Sequence, residues 1–150
     1  SEITQSTSNI ETTAKSIVNT SKKMYAVITN STADAYLQTV KMDHVVWKLE
    51  VYKVIVGEST QNIDDFSNHK NCRLGQWYFQ GEGAEKYSKF KAFKQLDSPH
   101  EQVHKYGISA LKAAKTGNMT QAIKDLTTME HASTDVINLL TALAHQINKS

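Results

Sequence analysis

Ile3, Ile10, Ile17 and Met24 recur at intervals of seven residues, and Thr7, Ala14, Ser21, Ile28 and Ala35 form a second series four positions later. Such a repeat puts both series on one seam of a helix and predicts a coiled coil, with small residues along one side. The flanks are rich in Ser, Thr and Asn, which are weak helix formers, so this arm depends on a partner helix for stability. Proline occurs once, at Pro99, and helical spacing fills most of the remaining chain. The expected fold class is therefore all-α: an antiparallel four-helix-type bundle behind a long N-terminal coiled-coil helix. Residues 1–36 form the arm and residues 37–150 the bundle.

Near Leu37 the inward stripe shifts phase and runs Leu37, Val40, His44, Trp47, Val51, Val54. The stretch GESTQNID, residues 57–64, breaks the helix. The next segment, from about Ile63 to Phe79, carries Phe66, Cys72 and Trp77, and Gly81 and Gly83 end it. Ala84 to Leu96 reads as a short helix with Tyr87, Phe90 and Phe93 at helical spacing. A helix start follows, with Ser98 as N-cap, Pro99 at the first helical position and Glu101 completing a capping box. Its inward face reads His100, His104, Gly107, Leu111, Ala114, and Gly117 and Asn118 stop it. The last helix, from about Thr120 to Ile147, aligns Ile123, Leu126, Met129, Val136, Leu140 and Leu143.

Charge and composition exclude several classes of function. A net charge of +2 with scattered lysines gives no electrostatic footprint for nucleic acid. Gly81 and Gly83 lack the strand before and the Lys-Ser/Thr after that a phosphate-binding loop requires. No apolar run approaches the roughly 20 residues needed to span a bilayer, and no signal peptide opens the sequence. The expectation is a soluble, cytoplasmic segment without membrane contact.

Cys72 is the only cysteine, so it is a buried small residue, a metal ligand or a reactive thiol. His44, Cys72, His100 and His104 each fall on or near the face that their helix turns inward. Thiolate and imidazole are the donors that Zn(II) takes in tetrahedral sites, and a His-x3-His pair one turn apart supplies two of them from one helix. Placing His100 in a first turn also disfavours imidazolium, because the helix dipole is positive there. His69 competes for a place among the ligands but is expected in solvent, as are His131 and His145. Four protein donors leave no position for an activated water, and no carboxylate is placed as a general base, which argues against a metalloenzyme.

His44-Val-Val-Trp47-Lys48, Cys72-Arg-Leu74-Gly75-Gln-Trp77-Tyr78 and His100-x3-His104 together resemble the signature of the chemoreceptor zinc-binding domain. The resemblance covers roughly Leu37 to Ile147. It implies one Zn(II) held by His44, Cys72, His100 and His104, with Trp47 and Trp77 walling the site and Gly75 letting helices approach. The arm, in turn, resembles the trailing end of a methyl-accepting chemoreceptor's cytoplasmic coiled coil. The implied protein is a homodimeric sensory module for chemotaxis, reaching the chemotaxis kinase and coupling protein through the rest of the receptor. Metal occupancy, or oxidation of Cys72 by an agent such as hypochlorous acid, is the implied signal. The alternative is a structural zinc-stapled dimerisation or regulatory module, for instance of a diguanylate cyclase, although in such proteins the domain usually precedes the cyclase.

Overall fold

The computed structural model describes residues 2–150. Helix α1 runs Glu2–Ile55, a 3-10 turn occupies Ile63–Asp65, and helices α2 (Arg73–Phe79), α3 (Glu82–Lys86), α4 (Lys91–Lys115) and α5 (Met119–Lys149) follow. No strand occurs among the described residues, and the chain is the all-α helical bundle expected. It divides into two compact units, Ser1–Ala35 and Tyr36–Ser150.

In the first unit, α1 carries bonds between residues one turn apart. Lys15 pairs with Glu11 one turn back at 2.8 Å, and the Thr7 and Thr12 hydroxyls donate to the carbonyls of Ile3 and Ser8. Back-bonding threonines satisfy their own hydroxyls without strengthening a helix. Ile3, Ile10, Ile17, Met24 and Ile28 of the sevenfold seam all stand exposed.

In the second unit three long helices enclose the core. Helix α1 runs antiparallel to α5, as Lys41 donates to Thr141 and both Lys48 and Tyr52 reach Glu130. Helices α4 and α5 are also antiparallel, with Ser109 bonded to Asp125 and the Ala92 amide to Gln146. Helices α1 and α4 therefore run parallel, joined by residues 56–90, which carry the 3-10 turn, α2 and α3. Leu37, Val40, Val51, Leu96, Val103, Leu111, Met129, Leu140 and Leu143 are almost fully buried. Each such side chain contributes about 1.5–3 kcal/mol relative to exposure.

Several boundaries differ from the sequence expectation. Residues 63–79 do not form one segment: only the 3-10 turn and α2 are helical, with an irregular loop between them. The expected helix over Ala84–Leu96 is split, its first part in α3 and its last part in α4. Ser98 is not an N-cap, because α4 already begins at Lys91, with Phe90 as cap, and Pro99 lies inside it. An interior proline costs about 3 kcal/mol. Extending the helix upstream buries Ala92, Phe93 and Leu96, which offsets that cost. In α5, Ile123 is 60% exposed and the inner stripe there passes through Ala122 and Asp125 instead.

Candidate metal centre

Two histidines fix their own tautomers. His44 Nδ1 lies 2.7 Å from the Val40 carbonyl oxygen, and His104 Nδ1 lies 2.8 Å from that of Ser67. A carbonyl only accepts, so each Nδ1 carries the proton and each Nε2 presents a lone pair. Those Nε2 atoms face each other at 3.4 Å. A pair of buried acceptors has no hydrogen bond to share, and a cation between them removes the conflict. Protonating a ring is no remedy here. Burial, reinforced by the neighbouring histidines, holds His100 down to about 2 and His104 to about 4, and burial also lowers His44.

Cys72 completes the group from the N-cap of α2. Its sulfur accepts from the Gly75 amide at 3.4 Å and stands 3.3 Å from His100 Nε2. Burial pushes the thiol up, while the Gly75 and Leu74 amides pull the other way. One donor atom from each of His44, Cys72, His100 and His104 lies within 4.8 Å of the other three. With Zn–N near 2.05 Å and Zn–S near 2.3 Å, tetrahedral geometry sets donor separations of about 3.3–3.6 Å. The His44–His104 separation matches the N–N edge, and the Cys72–His100 separation lies about 0.3 Å inside the N–S edge. The Val40 and Ser67 carbonyls supply the outer hydrogen bonds that orient ligating imidazoles.

These protonation states give a pH signature. Near neutrality the three imidazoles are already neutral and the thiol still holds its proton, so metal binding displaces about one proton per chain. Zinc affinity should rise about tenfold per pH unit between pH 6 and 8, reflecting the thiol alone. Calorimetry in buffers of differing ionisation enthalpy measures that proton count. Two or more protons released at pH 7 would contradict the low histidine values.

The surrounding residues position the donors unequally. The Trp47 ring lies 4.5 Å from that of His104 and edge-on to Phe66 at 5.8 Å. It rests over Gly107, where an added Cβ would come within 2.5 Å of the indole. Trp77, expected to wall the site, instead anchors α2: it stacks on Tyr36 at 5.2 Å and packs against Tyr87 and Phe93. Tyr36 also donates to the Arg73 carbonyl at 3.1 Å, fastening the residue after Cys72 to α1. Gly75 admits the loop backbone of His69 and Lys70 rather than a helix. An open cleft of about 270 Å³ reaches His44, Cys72 and His104 past Asp43, Ser67 and Arg73.

His69 is not in solvent as expected. It is 9% exposed, packs edge-on to Phe79, and its Nε2 lies 3.5 Å from Asp97. It stands outside the four-donor group, whereas His131 and His145 are exposed as expected.

Residues 44–111 match the family model of the chemoreceptor zinc-binding domain, a segment that opens on the first donor and contains all four. This segment is a chemoreceptor zinc-binding domain. Neither the comparison with curated proteins nor that with solved structures gave a match. The zinc-binding domain thus takes the C-terminal end of α1 from His44 to Ile55, the connecting loop with α2 and α3, and α4 as far as Leu111. Gly107, Tyr36 and the Ser67 carbonyl had no role assigned from sequence. Gly107 was legible only as one position of an inward face, since nothing local pairs it with Trp47.

Proposed function

We propose that the chain is the cytoplasmic zinc-sensing end of a bacterial chemoreceptor, with His44, Cys72, His100 and His104 holding one Zn(II). The observation that carries this reading is the pair of buried, unprotonated Nε2 atoms 3.4 Å apart, with a sulfur and a third imidazole beside them. Bound zinc keeps the sulfur as thiolate and polarises the donors it holds. Four donors from the chain fill a tetrahedron, so the site is assigned no hydrolytic role.

Cys72 is the oxidisable donor, and the cleft gives a small oxidant a way to it. Hypochlorous acid takes two electrons from the thiolate as an S–O bond forms, the O–Cl bond breaks and chloride leaves, giving a sulfenic acid. Because Tyr36 and Trp77 tie α2 to α1, a change at the sulfur is felt by the helix that carries the seam. Val45 continues the sevenfold series of Ile3, and Met42, Leu49 and Val56 continue that of Thr7; all four are exposed. These exposed apolar positions support a parallel homodimer along α1, although Ser31 and Gln38 interrupt the series of Ile3, with the chemotaxis kinase and coupling protein reached through the rest of the receptor. No helix among the described residues is long and apolar enough to cross a membrane.

Metal analysis of the purified chain tests the site. One zinc per chain is expected, and chelation should leave most of the helical circular dichroism, because the apolar stripes extend well beyond the donors. A chain that neither retains nor binds zinc overturns the reading, and global unfolding on chelation turns it into a structural staple.

A further inference from the structure

The four-donor group does not account for His69. A histidine this buried, with its ring perpendicular to that of His100 at a centroid distance of 5.7 Å, is only slightly farther off than the donors are from one another. The His44–His100, His44–His104 and His100–His104 ring separations are 4.9, 5.4 and 5.0 Å. His69 also shares its turn with Cys72. The Asn68 side chain accepts from the Lys70 and Asn71 amides, the Cys72 amide donates to the Asn68 carbonyl, and Cys72 Sγ stands 3.5 Å from the His69 carbonyl oxygen. The His69 Nε2 faces Asp97 at 3.5 Å, beyond good hydrogen-bond length.

We propose that His69 is a reserve zinc ligand that takes the place of Cys72 when the thiolate is lost. The inference rests on the four-donor site proposed above. The exchange transfers no electrons: the sulfur leaves with its pair, and a lone pair of the His69 ring fills the vacated position. One tight turn carries both groups, so the exchange needs that turn to rotate and the weak Asp97 contact to part, with no helix displaced. Loss of the sulfur promotes the movement, because Cys72 Sγ is the acceptor that caps α2 through the Gly75 amide. The metal then stays bound while its link to α2 is cut. The site changes state without emptying.

The test uses the full chain as wild type, Cys72→Ala, His69→Gln, Cys72→Ala/His69→Gln and Cys72→Ala/His69→Ala. Zinc affinity is measured by competition with a chromogenic chelator, and cobalt(II) spectra are recorded on the same proteins. His69→Gln alone should leave zinc affinity and the sulfur-to-cobalt charge-transfer band unchanged. Cys72→Ala should lose that band, keep the intense visible absorption of a four-coordinate ion, and bind zinc about tenfold more weakly. Both double variants should bind at least about tenfold more weakly again and lose the visible intensity. Equal affinities and spectra for Cys72→Ala and Cys72→Ala/His69→Gln would overturn the proposal. A wild type without zinc affinity would instead overturn the four-donor site itself.

Discussion

Replacing His104 by alanine should weaken zinc binding by about 10²- to 10³-fold, because a site of about 10–16 kcal/mol spread over four donors loses roughly a quarter of its binding energy. The effect is compounded by packing. The imidazole lies under Trp47 and ties α4 to the loop through the Ser67 carbonyl, so its removal also frees that loop. His44→Ala should behave alike, since its Nε2 is the partner of the same 3.4 Å contact. Chelator competition gives the affinity. Substituting the exposed His131 serves as control and should change nothing. A His104→Ala protein within threefold of wild type would remove that residue from the site.

Gly75→Ala should be the most damaging substitution of a single methyl group. Its Cβ would lie 1.9 Å from the His69 carbonyl oxygen and 2.8 Å from the Lys70 carbonyl carbon, so the whole turn, not the end of a flexible side chain, would have to be displaced. The expected loss is about 3 kcal/mol of stability, read as a lower urea midpoint. Zinc affinity should fall with it, because the displaced turn holds Cys72. At Gly107 the atoms met are the ring carbons of Trp47, which can shift, so alanine there should cost less. Equal stability of Gly75→Ala and wild type would show that the turn is looser than its packing indicates.

How much could be read from the chain depended on whether burial followed helical period. Leu37, Val40, His44 and Val51 face inward at steps of three, four and seven, as do His100, His104 and Leu111, and their periodicity alone brought one histidine of α1 and two of α4 to the inward side. Cys72 and His69 lie in an irregular loop, where no period exists and tertiary packing decides burial. Phe79 and Asp97 shelter His69, and neither is its neighbour in sequence. The Ser98-Pro99-His100-Glu101 signal failed for a related reason. Local capping chemistry there competes with the burial of Leu96 and Phe93, two and five residues before Ser98, and the core prevails.

Pro99 makes α4 a jointed rod. Having no amide hydrogen, it leaves the Gln95 carbonyl without its helical donor, and this gap in the hydrogen-bond ladder of an otherwise continuous helix lies next to His100. The segment above the joint carries both histidines of α4. The segment below carries Phe93, whose ring stacks on Tyr78 at 4.1 Å and whose carbonyl accepts from the Tyr78 hydroxyl. Helix α2 is therefore moored to α4 twice: by the Cys72 sulfur at its N-cap to His100 above the joint, and by Tyr78 to the segment beneath it. Metal bound across those donors would splint that point of α4, and loss of the sulfur would leave α2 held by Tyr78 to the lower segment and by Trp77 and Arg73 to Tyr36 of α1.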